Sequence, residues 1–304
     1  MPAMPAMTRR QARWGYVMFA PAIVFLLTFL VLPLCYAIAI AFTNQVALPS
    51  VHLPTQFIGA DNFKQLLSDV DFRAAIGHNL IFTALIVPTQ TALALGLALL
   101  VNRRLRGHSL FRTAFFLPIA IPISVSGLIW KLMLDENQGR HGLLTSVVSF
   151  LSGGTVVPNW LANEHWTQVA VVIVSLWSSV GFQMVILLAA LQDVPPELQE
   201  AAMLDGAGAW RRLLAVTLPA IRHQLYFVLT TTVILSFRLF DAVYVLPSSP
   251  GGPREATTTL MLYIVQLSQR GASAPVGLAA AAALIFLVIV LLITVLQRRF
   301  EPKE

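Results

Sequence analysis

Long apolar runs, separated by polar segments, dominate the chain. Six of them reach the roughly 20 residues that a helix needs to cross the hydrocarbon core of a bilayer. They are Gly15–Phe42, Ile76–Val101, Leu110–Leu134, Thr167–Leu191, His223–Leu246 and Val276–Leu296. The pattern predicts an all-α integral membrane protein with six transmembrane helices. The first run could instead be a signal peptide, but the apolar region of a signal peptide has only about 7–15 residues, so we expect a retained span.

Basic residues are distributed unequally between the two sides that six spans define. Thirteen lie on the side of the termini and five on the other. The thirteen are Arg9, Arg10, Arg13, Arg103, Arg104, Arg106, Arg112, Arg211, Arg212, Arg222, Arg298, Arg299 and Lys303, and the five are Lys64, Arg73, Arg140, Arg254 and Arg270. Because cytoplasmic loops carry the excess of basic residues, we expect both termini in the cytoplasm.

The spans predict a single membrane domain, residues 15–297, with a cytoplasmic N-terminal segment at 1–14 and a cytoplasmic tail at 298–304. Three longer segments, Thr43–Ala75, Asp135–Trp166 and Pro247–Pro275, fall on the outer side. The second of them contains His141–Leu151, which is apolar but too short to span, and which predicts an interfacial or re-entrant helix.

Composition supports a membrane protein, because only 11% of the residues are charged and 57% are hydrophobic, whereas soluble domains have about 25% charged residues. The net charge of +6 comes from arginines beside apolar runs, where they act as topology signals. We therefore expect a lipid bilayer and no nucleic acid as partner. Cys35 is the single cysteine, and the histidines lack metal-ligand spacing, so no metal site and no catalytic residue is predicted.

A polar segment between spans four and five, residues 192–222, predicts a short cytoplasmic helix. Pro195 and Pro196 are suited to open it, and Gly206 offers the left-handed stop that ends many helices. Leu198, Ala201, Ala202 and Asp205 would share one face of this helix. The pattern alone also fits a surface helix that merely connects two spans.

The sequence of this segment resembles the cytoplasmic loop of the membrane subunits of ABC importers. That loop has E-A-A, three residues, G, nine residues and then I-x-L-P. This chain has Glu200-Ala201-Ala202, then Gly206, then nine residues to Val216, Thr217, Leu218 and Pro219, with valine in place of isoleucine. The resemblance implies a coupling helix that contacts an ATP-hydrolysing subunit, through Glu200, Ala201, Ala202, Asp205, Gly206, Leu218 and Pro219.

The chain lacks the G-x-x-x-x-G-K-[ST] phosphate loop through which a chain of that kind would bind ATP. We therefore expect no cofactor in this chain, and a partner subunit that binds ATP and Mg²⁺. In this interpretation the chain is not an enzyme.

Further motifs resemble the carbohydrate group of these permeases, related to those for maltose and glycerol phosphate. They are QFIGADNFKQLL (Gln56–Leu67), DFRAAIGHN (Asp71–Asn79), FRTAFFLP (Phe111–Pro118), WSSVGFQMVILLAALQDVPPELQEAA (Trp177–Ala202) and FDAVYVLPSSPGGPREATTTL (Phe240–Leu260). The last is typical of the first of the two permeases in such systems. Departures fall in the same outer segment: Pro247 stands in place of Thr, one residue is inserted before Gly251, and Gln266–Pro275 lacks the family's aromatic and glycine-rich pattern.

The resemblance implies a permease subunit that imports a carbohydrate across a bacterial inner membrane. It implies as partners a second homologous permease, two ATP-binding subunits and an external sugar-binding protein. A sugar, an oligosaccharide, a sugar alcohol or glycerol phosphate all remain open as substrate.

Polar residues within spans are costly and usually face a cavity or one another. Those in spans four and five make the candidate substrate pathway: Gln183, Ser178, Ser179, Arg238, Asp241 and Tyr244. Each has a structural alternative. Serines can bond to backbone carbonyls of their own helix or to a neighbouring helix, tyrosines can anchor a span at the interface, and Arg238 and Asp241, three residues apart, could pair with each other on one helix face.

Two other classes of protein remain as alternatives. An ATP-independent secondary transporter would keep a coupling-ion site within the membrane and often shows inverted repeats; Arg238 and Asp241 are the only charge pair in the spans, and no repeat is evident. A membrane enzyme would need a convergent catalytic set, which the spans lack.

Overall fold

A computed structural model describes residues 9–48, 54–102, 108–134, 142–155 and 158–301. Most of the predicted N-terminal segment, the basic loop at 103–107, the start of the predicted helix at His141 and the last three residues of the tail lie outside these ranges. The α-helices are α1 (Arg9–Leu26), α2 (Leu32–Ala41), α3 (Asp61–Ser68), α4 (Val70–Val101), α5 (His108–Phe116), α6 (Ile123–Leu134), α7 (Leu143–Leu151), α8 (Glu164–Gln192), α9 (Pro196–Leu204), α10 (Ala209–Arg212), α11 (Leu218–Ala220), α12 (Arg222–Phe237), α13 (Asp241–Val245), α14 (Leu260–Ser268) and α15 (Val276–Arg298).

Five segments among the described residues are helical, long and apolar enough to cross a membrane. They are Trp14–Ala41, Val70–Val101, Glu164–Gln192, Arg222–Val245 and Val276–Arg298. These match predicted spans one, two, four, five and six. The first contains a π-helical turn at Leu27–Val31 that joins α1 to α2.

The predicted third span is not one straight helix. A 3₁₀ turn at Leu117–Ala120 follows α5, and the axis bends by 102° before α6 begins at Ile123. Two prolines account for the break. Pro118 and Pro122 have no N–H to donate within a helix, and a proline disfavours the helical conformation of the residue before it, so Ile121 is extended, with φ −91° and ψ 125°. The chain has six spans if this bent pair crosses as one.

The fifth span is also interrupted, at a point where no proline or glycine is present. Helix α12 ends at Phe237, and α13 starts at Asp241 after a three-residue break. Phe240 lies outside the helical region, with φ −129° and ψ −59°. Since a break exposes backbone carbonyls inside a span, other groups of the protein must satisfy them.

One compact unit comprises residues 1–68 and 266–285. Asn62 of α3 is buried, and its side-chain amide donates to Ala41 O and Thr43 O, both at 2.8 Å. The start of α15 packs against the same turn, because a Cβ on Gly277 would lie 2.2 Å from Thr43 O. The asparagine and the glycine therefore fix the turn at the end of α2.

The other compact unit comprises residues 69–265 and 286–304. Its centre is formed by α4, which packs against α8 and α12. Gly181 of α8 allows the closest approach, because a Cβ there would lie 1.8 Å from Phe115 O. This packing places one face of α8 beside the broken third span, where the cavity described below is found.

Helix α7, Leu143–Leu151, corresponds to the short apolar segment of the second outer loop. At nine residues it is too short to cross a bilayer. Phe150 and Leu151 are largely exposed, and the interfacial or re-entrant placement of the helix stays a prediction.

Candidate functional site

Helix α9 is the predicted short helix between the fourth and fifth spans, and it has well-defined ends. Pro196 occupies its first turn, with Pro195 as N-cap. At its end, Gly206 N donates to Met203 O at 3.0 Å and Ala207 N donates to Ala202 O at 2.9 Å. These two bonds form the Schellman motif, in which a left-handed residue closes the helix. Gly206 supplies that conformation, with φ +76°.

The face of α9 that the sequence singled out is largely exposed. On this face Leu198 is 49% exposed, Ala201 and Asp205 are exposed and Ala202 is half-buried. Elsewhere on the helix, Glu200 is exposed and Leu204 is 89% exposed. An exposed helix with leucines and small alanines suits a partner surface that approaches the backbone closely.

A side-chain hydrogen bond joins α9 to the segment that leads into the fifth span. Gln199 Nε2 donates to Thr217 Oγ1 at 3.0 Å, and Thr217 is buried at the end of the π-helical turn Leu213–Thr217. Leu218 and Pro219 follow directly. The bond thus connects the Glu200–Gly206 and Leu218–Pro219 parts of the predicted coupling set. The sequence analysis missed Gln199, although its position directly before Glu200 places it in the predicted short helix.

A cavity of about 480 Å³ opens in the second unit, between α4, α8, α12 and the bend of the third span. Its polar lining includes Gln90, Ser175, Ser178, Ser179, Gln183, Thr231, Thr232, Ser236, Arg238 and Asp241. Its apolar lining includes Ile86, Ile119, Ile121, Pro122, Ile123, Phe182, Ile186, Phe227, Val228, Leu235, Leu239, Phe240 and Ala242. The volume is typical of small-molecule sites, and the large share of polar side chains suits a polar solute.

Five of the six residues of the predicted substrate pathway line this cavity: Gln183, Ser178, Ser179, Arg238 and Asp241. Tyr244 does not line it. Its ring is stacked on Phe240, with centroids 5.2 Å apart, and α13 carries it beyond the cavity wall. A direct contact of Tyr244 with a solute in this cavity is therefore not supported.

Gln183 is buried, with 3% of its surface exposed. Its Nε2 donates to Thr232 Oγ1, and that hydroxyl in turn donates to Val228 O at 2.6 Å. Gln183 Oε1 is buried without a hydrogen-bond partner among the described residues. Because a buried unpaired acceptor costs about 1–3 kcal/mol, a hydroxyl donor from a bound solute would be favoured there.

The two serines follow the structural alternative. Ser178 Oγ and Ser179 Oγ both donate to Ser175 O, at 3.0 Å and 2.8 Å. Their donors are used within α8, whereas a hydroxyl oxygen can also accept hydrogen bonds. They can thus accept a hydrogen bond from a solute but cannot donate one without rearrangement.

The suggested pairing of Arg238 with Asp241 is wrong. The two residues do not share a helix, because the break at 238–240 separates them. Asp241 Oδ1 instead accepts from Ser124 Oγ of α6 at 3.1 Å, and among the described residues no ion pair joins it to Arg238. The cavity therefore contains one guanidinium and one carboxylate that are separate from each other.

Gln90 is a cavity residue that the sequence analysis missed. It is 2% exposed and lies on α4, within the second span. A glutamine in an otherwise apolar run is the same kind of signal as Gln183. Among the described residues, no group of three or more His, Cys, Asp or Glu side chains could hold a metal ion.

The chain is similar to known proteins in sequence and in fold. Residues 90–304 match the family described as binding-protein-dependent transport system inner membrane component. The trehalose/maltose transport system permease protein of Thermococcus litoralis is 32% identical over 254 residues, which cover 83% of this chain and 82% of the relative. The lactose transport system permease protein of Rhizobium radiobacter is 30% identical over 258 residues, with coverages of 84% and 83%.

The sn-glycerol-3-phosphate transport system permease protein of Yersinia pestis is 33% identical over 249 residues, which cover 82% of this chain and 81% of the relative. Among solved structures, a chain of a bacterial ABC transporter involved in the import of the acidic polysaccharide alginate is similar to this fold. Its TM-score is 0.81 at 23% identity, and the match covers 96% of each chain.

Proposed function

Because the chain belongs to the family of binding-protein-dependent transport system inner membrane components, we propose that an ATP-hydrolysing partner drives it through α9. Family membership makes the chain a permease subunit of an ABC importer, a transport component rather than an enzyme. The exposure of α9, with its glycine-closed end and its bond to Thr217, is the observation that carries the proposed role.

The coupling proposal follows from the exposure of α9. Glu200, Ala201 and Asp205 are free for a partner, while Gln199 transmits a displacement of α9 to Thr217 and so towards α12. Since α12 lines the cavity, a movement of α9 reaches the cavity wall. ATP binding would then favour one state of the cavity through the partner's different affinity for the two states.

The proposed solute is a carbohydrate or a small polar derivative such as glycerol phosphate. The relatives with trehalose/maltose, lactose and sn-glycerol-3-phosphate in their names support this class. The cavity lining also supports a carbohydrate as the solute, because Gln90 and Gln183 offer hydrogen bonds and Phe182 and Phe227 offer apolar faces for a sugar ring.

The proposed assembly has this chain, a second homologous permease, two ATP-binding subunits that hold ATP and Mg²⁺, and an external sugar-binding protein. One of the solved structures that this fold resembles is an alginate ABC transporter in complex with an alginate-bound periplasmic protein. We place the chain in a bacterial inner membrane with both termini in the cytoplasm. The excess of basic residues on the side of the termini supports this orientation, provided that the bent helix pair crosses the membrane as one span.

Purification under mild detergent, followed by mass spectrometry of what accompanies the chain, tests this assembly. Recovery of a second permease and of an ATPase with a phosphate loop supports it. Uptake of radiolabelled maltose, lactose and sn-glycerol 3-phosphate into membrane vesicles then tests the solute class. Uptake that proceeds without ATP, by this chain alone, would indicate a secondary transporter and contradict the proposal.

A further inference from the structure

The break in the fifth span leaves backbone groups without their helical partners. In a continuous helix, Phe237 O would accept from Asp241 N, four residues later. In this structure Phe237 O instead accepts from the side chain of Asn79 on α4, at 3.2 Å. Leu239 O accepts from Thr259 Oγ1 at 2.7 Å. Both carbonyls are thus satisfied from outside the span.

Asn79 is fully buried, at 0% exposure, and it makes a second bond with the other end of its amide. Its Oδ1 accepts from Leu260 N at 2.7 Å, the first amide of α14. One side chain therefore satisfies the last carbonyl of α12 and the first N–H of α14, two groups that helix ends leave unpaired.

Neighbouring residues on α4 strengthen the same connection. Thr83 Oγ1 and Ser236 Oγ are 2.8 Å apart and hydrogen-bonded, and His78 Nδ1 lies 3.0 Å from Thr258 O. The break is thus held against one face of α4.

The break decides which side chains enter the cavity. The cavity face of α12 is formed by Phe227, Val228, Thr231, Thr232, Leu235 and Ser236. In a regular continuation of α12, position 240 would point about 130° away from the mean direction of these six residues, at about 100° per residue. The interruption before Phe240 therefore turns this side chain towards the cavity that it lines.

We infer that Asn79 is a positioning residue of the permease: it holds the fifth span open at 238–240 and thereby places Phe240 and Asp241 at the cavity. Without its amide, Phe237 O loses the donor that replaces its regular helical partner, Asp241 N, and formation of that regular bond would straighten the span. The effect of Asn79 on transport rests on the proposed function of the cavity, whereas its effect on the position of residue 240 does not.

Thiol labelling in membrane vesicles that contain the whole transporter tests the inference. The reporter is Phe240→Cys in a Cys35→Ser background, which leaves no other cysteine in this chain, labelled with a small water-soluble thiol reagent. Asn79→Leu, which has a similar size but no amide, should lower the labelling rate at least fivefold, because position 240 rotates out of the cavity.

Asn62→Leu is the matched control. Asn62 is also buried, and its side-chain amide also makes two hydrogen bonds to the backbone, in its case both to carbonyls, but it lies in the other compact unit. This variant should change the labelling rate less than twofold. If Asn79→Leu does not accumulate, Thr259→Val removes the bond to Leu239 O and should lower labelling at least twofold.

Unchanged labelling in whichever of these two variants accumulates would overturn the inference, and so would an equal fall in Asn62→Leu. Uptake of radiolabelled maltose, lactose and sn-glycerol 3-phosphate is measured in the same vesicles with native Phe240. Slower labelling with normal uptake supports the positioning role of Asn79 and rejects the cavity as the transport pathway. Slower labelling together with a raised KM for uptake supports both the positioning role of Asn79 and the cavity as the transport pathway.

Discussion

Replacement of Gly206 by alanine tests whether the end of α9 must be closed by a left-handed residue. Gly206 has φ +76°, and a Cβ there would meet no atom within 4 Å. Space is therefore not the constraint within this chain. The left-handed conformation costs an L-residue roughly 1–2 kcal/mol, so Gly206→Ala penalises the observed end of α9 by about that amount.

Such a cost lowers the ratio of the observed conformation to alternative ends of the helix by a factor of about 5–30. We expect ATP-driven uptake to fall by up to that factor, while the amount of permease in the membrane changes less than twofold. Gly206→Asn should fall between alanine and glycine, because asparagine visits the left-handed region more readily.

Gly208 provides the matched control, two residues away. It is exposed, and a Cβ there would also meet nothing within 4 Å, but its φ of −65° and ψ of 167° are ordinary for any residue. Gly208→Ala should leave uptake within twofold of the parent. Equal effects of the two alanine substitutions on uptake would refute the argument from backbone conformation.

Two further predictions concern the cavity and the packing of α8. Gln183→Leu removes the buried amide whose Oε1 is unpaired and should raise the KM for uptake about tenfold, as loss of one hydrogen bond implies. As a control, Thr91→Val removes a buried unpaired hydroxyl that does not line the cavity and should leave the KM unchanged. Equal KM values for the two variants would contradict the role of Gln183. Gly181→Ala should abolish accumulation of the permease, measured on immunoblots, because its Cβ would lie 1.8 Å from Phe115 O. Gly77→Ala, whose Cβ would meet nothing within 4 Å, should accumulate normally. Normal accumulation of both variants would contradict the close packing of α8 against Phe115.

Hydropathy located the five segments that are long and apolar enough to cross a membrane, because a bilayer demands long apolar helices, and such runs are visible without any tertiary information. It could not distinguish a straight span from a bent one, because the bend at Ile121 does not alter composition. Pro118 and Pro122 were the available signal. The break before Asp241 had no such signal, since its carbonyls are satisfied by Asn79 and Thr259, which are remote in sequence.

The same limit explains the outcome for the site. The exposed helix α9 follows from local rules, because Pro196 and Gly206 fix its ends whatever surrounds it. The cavity depends on how three helices meet. Sequence reasoning could name Gln183 as polar within a span, but it assumed a continuous helix through Arg238 and Asp241, and so offered as an alternative a pairing that the break prevents.

The most direct test of the central claim, that a partner ATPase acts on α9, is photo-crosslinking from position 201 in intact membranes. Ala201 is exposed on α9 and can carry a photoreactive residue without a clash inside the chain. We expect a crosslinked product in which mass spectrometry identifies a subunit with a G-x-x-x-x-G-K-[ST] phosphate loop. Uptake that persists in these membranes while position 201 crosslinks to no such subunit would contradict it.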